Sequence, residues 1–203
     1  MSRYTGPRLK KCRALDVDLP GLTRKRRKRT YRPGQHGPGF RRKVSDYGRR
    51  LMEKQKIRFN YGLGERQLRR LVSDARRSQL STGDKLMELL ERRLDNVVFR
   101  AGFTPTIPAA RQLVNHGHIL VNGRKASIPS YRVRVGEVIS FREKSRNLEC
   151  VEVSLENPTL NSPEWLDINR NQRTAAMTVL PTIESVPFPF EIQLIVEHYA
   201  QLV

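Results

Sequence analysis

The sequence predicts an α+β protein, in which a basic N-terminal arm and a mostly helical domain carry an inserted small domain of two helices packed on a short antiparallel sheet. Three observations predict it. Apolar residues recur at helical spacing from Ser45 onward. The spacing changes to alternation after Gly117. Residues 1–44 combine Pro, Gly, Arg and Lys with few core-forming residues.

The charge of the chain is high and unevenly distributed. It has 39 Lys and Arg against 20 Asp and Glu, a formal net charge of +19. Residues 1–50 hold 17 basic and 3 acidic residues, 51–150 hold 20 and 10, and 151–203 hold 2 and 7. A cationic field attracts polyanions, so nucleic acid is the favoured partner over an acidic membrane. The acidic end is suited to face a protein.

Neither a membrane span nor a disulfide framework is expected. The N-terminus has no apolar h-region and no run approaches the roughly 18 apolar residues of a span, which predicts a soluble, unsecreted protein. Cys12 and Cys150 are the only cysteines. Two cysteines so far apart in an unsecreted chain are expected to be reduced and structural.

The arm, residues 1–44, contains a six-residue basic run beside a turn-rich segment in "TRKRRKRTYRPGQHGPGF". Such a composition buries too little apolar surface to offset the entropy of ordering. It fits either a solvated tail or an arm that becomes ordered on RNA, with Gly34, Gly37 and Gly39 allowing backbone N–H groups close to phosphates. The total charge favours the second interpretation.

Four helices are predicted before the alternating region. The first begins at Ser45 and ends at "NYGLGE", and the second spans Glu65–Ser78 with five arginines on its polar face. The third begins at Ser81, which has Asp84 three residues later as an N-cap signature, and continues to Gly102. The fourth, "IPAARQLVNHG", is capped at Thr106 with a proline in its first turn.

An Asn122-Gly123 pair in "HILVNGRKA" predicts a hairpin with a type I′ turn. A strand is expected in "YRVRVGEVISFRE", through Val133, Val135, Val138, Ile139 and Phe141.

The last 59 positions, from 145, carry weaker signals. Residues 145–175 are expected to be irregular, with Trp165 as an anchor, and the end from Glu191 to form an amphipathic helix. For that helix, core packing and a protein contact are equally good interpretations. The predicted domains are the arm (1–44), a helical region (45–91, completed by 150–203), an RNA-binding domain (92–149) and a C-terminal protein-contact segment (150–203).

The stretch "IPAARQLVNHGHILVNGRKASIPSYRVRVGEVISF" closely resembles the RNA-binding domain of the small-subunit ribosomal protein S4 family, and "ERRLDNVVFRAGF" resembles that domain's first helix. "MSRYTGPRLK", "RPGQHG", "SDYGRRLMEKQKIRFNYGLGERQLRRL" and "STGDKLMELLERRLDNVV" stand in the same order as in bacterial and plastid members. The resemblance covers roughly residues 1–145, and "EIQLIVEHY" is similar to the family's ending.

The resemblance implies a structural constituent of the small ribosomal subunit, located on the ribosome in a bacterial cytoplasm or a chloroplast stroma. It implies a primary binder of small-subunit (16S) rRNA that attaches to the 5′ domain and nucleates 30S assembly. Members also contact ribosomal protein S5, an interface linked to decoding accuracy, close to where messenger RNA enters the subunit. By that analogy Arg41, Arg42 and Lys43 line the messenger path. Some members also repress translation of their own messenger.

The resemblance also raises a zinc site and an enzyme as alternatives. Some members bind zinc through four N-terminal cysteines, but only Cys12 is present here and His36 cannot complete a ligand set, so neither a metal nor another cofactor is expected. "RLD" at 93–95 is similar to the catalytic-aspartate motif of pseudouridine synthases. Asp95 lies within the first helix of the RNA-binding domain, however, where local capping or pairing is expected, and roughly 55 following residues are too few for a catalytic domain.

A regulatory module acting off the ribosome would need only the compact domain, whereas nearly half of this chain is the basic arm and helical region. The sequence therefore favours a non-enzymatic ribosomal protein.

His116 and His118 are a candidate RNA contact rather than a metal or catalytic site, because residues 101–136 contain no Asp, Glu or Cys. Tyr131 fits either stacking on a base or core packing. The full set of RNA-binding candidates is basic, amide or imidazole residues: Arg3, Arg8, Lys10, Arg26, Arg27, Arg29, His36, Arg49, Arg50, Lys54, Lys56, Arg58, Arg66, Arg69, Arg70, Arg92, Arg93, Arg100, Arg111, Gln112, Asn115, His116, His118, Asn122, Arg124 and Lys125.

Overall fold

The computed structural model describes residues 4–39 and 44–200. Its helices are α1 (Arg8–Leu15), α2 (Asp46–Asn60), α3 (Glu65–Arg76), α4 (Thr82–Glu91), α5 (Leu94–Arg100), α6 (Ile107–Asn115), α7 (Glu149–Glu156) and α8 (Ile192–Ala200). Its strands are β1 (Ile119–Val121), β2 (Arg124–Lys125), β3 (Val138–Phe141), β4 (Leu166–Asn169) and β5 (Thr174–Met177). The predicted α+β class is confirmed.

The chain divides into two compact units, Met1–Leu86 with Pro187–Val203, and Met87–Val186. These boundaries differ from the predicted ones, which assigned 150–203 to the helical region. In the structure 150–186 lie in the second unit, because β5 pairs with β3 there, and only the last segment belongs to the first unit.

In the first unit, α2 and α3 form where the sequence predicts them. The Ser45 hydroxyl accepts a hydrogen bond from the Gly48 N–H at 3.2 Å, which caps α2. Helix α8, predicted from Glu191, packs on α2 and α3: Arg50 Nε of α2 lies 2.8 Å from Glu197 Oε2, and Tyr199 OH donates to Glu65 Oε1 of α3 at 2.9 Å. Core packing of the C-terminal helix is thereby shown, while its protein contact stays a prediction.

Part of the predicted arm packs into the first unit. Cys12, Leu19 and Leu22 are buried, and the Gly21 N–H donates to Asn60 Oδ1 at 2.9 Å. The expectation that 1–44 lacks a core is wrong for this stretch, because α1 and the residues after it bury five apolar side chains, those just named together with Leu15 and Val17. Residues 24–39 contain no helix or strand and are mostly exposed.

The helix predicted from Ser81 to Gly102 divides into α4 and α5. The chain bends at Arg92 and Arg93, where Leu94 N donates to Tyr131 O at 2.9 Å and Val133 N donates to Arg92 O at 2.8 Å. Contacts with a distant segment override the continuous helical spacing there. At the start of α4, the predicted Ser81 cap is confirmed by the Asp84 N–H, which donates to the serine hydroxyl at 3.2 Å.

The second unit contains one antiparallel sheet of strand order β2-β1-β3-β5-β4. Its core includes Phe103, Ile119, Ile139 and Phe141. The strand predicted across 133–141 is shorter than expected, since Val135 is exposed and Gly136 has a φ of +85° that turns the chain before β3.

Residues 145–175 are not irregular as expected, since they contain α7, β4 and the first residues of β5. The predicted anchor Trp165 is buried. Across the described residues, no helix is long and apolar enough to cross a membrane.

Candidate nucleic-acid interface

The β1–β2 hairpin presents basic residues on an exposed edge. Asn122 and Gly123 have φ values of +48° and +75°, so the predicted type I′ turn is confirmed. Asn122 Oδ1 accepts from the Val138 N–H at 2.9 Å, which fixes the turn against β3 and leaves the amide NH₂ available. Arg124 and Lys125 follow on the edge strand β2, and both are exposed.

A cluster of donors forms where α6 meets β1. The rings of His116 and His118 have centroids 6.0 Å apart, and His118 Nδ1 lies 2.9 Å from Ser145 Oγ. Gly117 between them has a φ of +73°, and a Cβ there would overlap the Lys125 side chain, so the lysine lies against this glycine. Two imidazoles and an ammonium thus share one small area.

A groove of about 610 Å³ runs beside the hairpin. Its acid, Glu137, accepts hydrogen bonds from Tyr131 OH at 2.7 Å and Arg134 N at 2.9 Å. The hydrogen bond to this carboxylate raises the pKa of Tyr131. The groove is lined by Val121, Asn122, Arg124, Lys125, Ala126, Ser127, Ile128, Tyr131 and Glu137.

Three of the RNA-binding candidates are buried and bonded to other groups of the protein, so they cannot reach RNA. Lys54 Nζ lies 3.0 Å from Glu65 Oε2, Arg93 forms a two-point pair with Asp95, and Arg100 NH2 donates to Ser185 O at 2.6 Å. A buried cation without a hydrogen-bonding partner would destabilise the fold strongly, and each of these three cations has such a partner. We therefore remove Lys54, Arg93 and Arg100 from the interface.

Several further candidates are tied to the fold but remain partly accessible. Arg50 pairs with Glu197, Lys56 with Glu53, Arg92 with Glu88, and Arg27 with Asp16 and Asp18. Arg8 donates to Leu22 O, Arg58 lies 3.9 Å from Glu65, and Arg111 also has a partner. These residues can contact phosphate only while sharing their charge with the protein.

The remaining candidates within the described residues are exposed, apart from the half-buried His118. They are Lys10, Arg26, Arg29, His36, Arg49, Arg66, Arg69, Arg70, Gln112, Asn115, His116, Asn122, Arg124 and Lys125. Arg3 and the proposed messenger contacts Arg41, Arg42 and Lys43 lie outside the described residues.

The basic residues that follow β3 were not among the predicted RNA contacts. Arg142, Lys144 and Arg146 are exposed, and the Arg142 N–H donates to His118 O at 3.0 Å, which brings this segment beside the histidines. Three cations within five positions after a strand were the signal that could have identified them.

Asp95, which the enzyme alternative would use, is held inside the fold as predicted. Its carboxylate accepts from Arg93 Nε at 3.0 Å, Arg93 NH2 at 2.8 Å and the Asn96 N–H at 3.0 Å, and it has no exposed surface. Over residues 4–39 and 44–200, no group of three or more His, Cys, Asp and Glu side chains could hold a metal ion.

Comparison with known proteins is consistent with this geometry. Residues 3–91 match the family described as Ribosomal protein S4/S9 N-terminal domain, and residues 92–139 match the S4 domain. The chain is 57% identical over 202 residues to the small ribosomal subunit protein uS4 of Methylobacillus flagellatus, with 98% of each chain covered. It is 56% identical to uS4B of Nitrosomonas europaea, again with 98% of each chain covered. It is 55% identical to uS4 of Synechococcus elongatus, with both chains covered completely.

The chain and these relatives match over nearly their full lengths at more than half identity, and the two family models match consecutive parts of the chain. This confirms the resemblance described from the sequence, and the chain belongs to the uS4 family of small ribosomal subunit proteins.

Proposed function

We propose that the protein, a structural constituent of the small ribosomal subunit, binds 16S rRNA directly as a primary binding protein, attaches to the 5′ domain and nucleates 30S assembly. The family's name identifies the ribosomal subunit to which the protein belongs. The exposed donors on the second compact unit provide hydrogen bonds and positive charge for binding RNA. The family is one of ribosomal proteins rather than enzymes, in agreement with the expectation from the sequence.

The observation that carries the proposal is the donor cluster at the end of α6. Lys125 lies against Gly117 between two histidines, and no carboxylate occurs anywhere in residues 101–136. Within the described residues Lys125 forms no ion pair, and Glu137, the acid of the adjoining groove, already accepts bonds from Tyr131 and Arg134, so the cluster suits anion binding.

The fold gives these donors a fixed arrangement. Arg124 and Lys125 on a paired strand can contact phosphates, while Gln112 and Asn115 on α6 offer amides to 2′-hydroxyls or base edges. Because α6 leads directly into β1, with the His118 N–H donating to Leu113 O at 3.1 Å, and β2 pairs with β1, the donors keep their spacing and can select a folded RNA junction by its shape.

The test is footprinting of the purified protein on 16S rRNA, combined with a salt titration of the affinity. We expect protection within a multi-helix junction of the 5′ domain. Arg124→Ala/Lys125→Ala should lower the log–log salt slope by roughly 1.5, since each phosphate contact contributes ~0.7–0.9. Arg76→Ala/Arg77→Ala, which removes the same charge from the last residue of α3 and the residue after it, is the matched control. Diffuse protection or a flat salt response would refute the proposal.

We further propose that the protein, together with S5, supports decoding accuracy where messenger RNA enters. The acidic composition of 151–203 and the resemblance support a protein contact there. The assignment of Arg41, Arg42 and Lys43 to the messenger path rests on the resemblance alone. Reconstituted subunits carrying alanine at these three positions should retain rRNA protection and lose crosslinks to messenger RNA. Unchanged crosslinks would remove that assignment.

A further inference from the structure

A polar cleft of about 450 Å³ lies at the β4–β5 turn, outside the residues selected from the sequence. Every side chain that lines it carries a hydrogen-bond donor, and none is acidic. The lining residues are Arg146, Asn147, Asn171, Gln172, Arg173 and Thr174. We call it the turn cleft.

The charge at this turn is opposite to that of its surroundings in the sequence. Residues 151–203 contain seven acidic residues and only two basic ones, Arg170 and Arg173, and both basic residues lie in or beside the β4–β5 turn. Arg146 lines the cleft from the other side, at the end of the basic segment that follows β3. The otherwise acidic part of the chain thus contributes its two cations to one place.

Two arginines in the turn cleft retain unused donors. Arg173 has a φ of +54°, and its guanidinium donates to Asn147 Oδ1 at 3.1 Å and Glu152 Oε1 at 2.8 Å. These two bonds orient the side chain and leave three of its five N–H groups available. The Arg146 side chain is exposed, and within the described ranges it forms no hydrogen bond or ion pair.

The strand register places the turn cleft at the end of the sheet that holds His118. Ile119 pairs with Phe141, so β1 begins where β3 ends. Val138 pairs with Ala176, so β5 begins at that same end of β3, and the β4–β5 turn, which leads into β5, lies there. The Asn122-Gly123 turn lies at the opposite end. His118 and the turn cleft therefore border the basic segment after β3 from its two sides.

We infer that the turn cleft binds backbone phosphates of the same rRNA, as an anchoring point separate from the hairpin. The inference rests on the proposed rRNA binding and extends it to a second surface. Arg146 and Arg173 supply charge-assisted hydrogen bonds to phosphate oxygens, and Asn171 and Gln172 donate to the remaining oxygens or to a 2′-hydroxyl. The cleft is large enough for a nucleotide-sized portion of the RNA strand.

The test compares full-length variants on the 16S 5′ domain by affinity, salt slope and footprint. Arg146→Ala/Arg173→Ala should lower affinity roughly tenfold and the salt slope by roughly 1.5, with loss of one protected site while the hairpin's site remains. Arg76→Ala/Arg77→Ala, which removes two charges at the C-terminal end of α3, should retain that site.

A second variant guards against a change in folding at the turn. Asn171→Asp/Gln172→Glu keeps side-chain size and both arginines but adds two negative charges, and it should abolish the same protected site. Thermal unfolding followed by circular dichroism checks that both variants remain folded.

The outcomes separate this inference from the proposed function. If the unmodified protein fails to protect the 5′ domain, the proposed function fails. If it protects the RNA and both cleft variants retain affinity, slope and footprint, only the turn cleft is refuted. Loss of a neighbouring protein from reconstituted subunits, with RNA binding intact, would assign the cleft to a protein contact and likewise overturn the inference.

Discussion

Arg93 and Asp95 form an ion pair from which water is excluded, with exposed fractions of 4% and 0% for the two side chains. Asp95→Ala would leave the guanidinium buried without its counter-charge. We expect the free energy of unfolding to fall by about 3–5 kcal/mol, measured by urea denaturation. Glu197→Ala, which breaks a half-exposed pair with Arg50 on α8, should cost no more than about 1 kcal/mol. Equal losses of stability in the two variants would contradict the burial of the Arg93–Asp95 pair.

Gly117 adopts a positive φ and also leaves room for the Lys125 side chain of the donor cluster. Gly117→Ala places a side chain at positive φ, which costs about 1–2 kcal/mol, and also displaces Lys125. Gly136→Ala is the matched control, because Gly136 has a φ of +85° with no atom near the added Cβ. Both variants should lose similar stability in urea denaturation, and only Gly117→Ala should lower affinity for 16S rRNA. Equal affinities would show that the position of Lys125 is unimportant for binding.

Helix α8 contains a buried histidine, His198, whose lowered pKa predicts that the stability of the first unit depends on pH. Burial lowers the pKa of His198, and Lys54 and Arg50 lower it further while Glu65 opposes them. The unfolded chain therefore binds the proton more tightly. The stability contribution is complete above the unfolded pKa of about 6.5 and is lost as pH falls below it.

We expect urea denaturation of the unmodified protein to show falling stability between pH 7.5 and 5.5, and His198→Leu to flatten that decline. Val196→Leu, on the same helix, introduces no titrating group and should keep the decline. A decline that persists in His198→Leu would show that other groups cause it.

Elements with strong local signals were predictable, and those made by distant pairing were not. Helix α2 has a capping serine, and the β1–β2 hairpin has its Asn-Gly turn, so both are encoded within a few residues. Strands β4 and β5, "LDIN" and "TAAM", have little β-branched or aromatic content. They form because β5 meets β3 across more than thirty intervening residues, a contact that local patterns do not reveal.

The candidate site was predicted to a similar extent. The hairpin and histidines carry their chemistry in one contiguous stretch. The partners that hold Lys54 and Arg100, the Glu65 carboxylate and the Ser185 carbonyl, are brought to them by folding. The turn cleft joins residues 146–147 to 171–174, and no local pattern links them.

The whole molecule has almost twice as many basic as acidic residues, so repulsion among its own charges opposes folding in the absence of RNA. The 5′-domain RNA, at a free concentration 100 times its Kd, should raise the free energy of unfolding by ~2.7 kcal/mol in urea denaturation. The increase should shrink as salt rises, because the affinity falls. An rRNA fragment without the 5′ domain is the control, and equal stabilisation by both fragments would leave only non-specific charge attraction.

The strand order of the sheet sets the width of any RNA surface that this unit recognises. The basic strand β2 and the turn beside β4 lie on opposite edges, four interstrand spacings apart, or about 19 Å at ~4.8 Å per spacing. An unstructured RNA strand must give up conformational freedom to hold phosphates at that separation, whereas a folded junction presents them already in place. If both proposed surfaces bind phosphates, the fixed separation across the sheet would by itself favour folded over unfolded rRNA, without contact with any base.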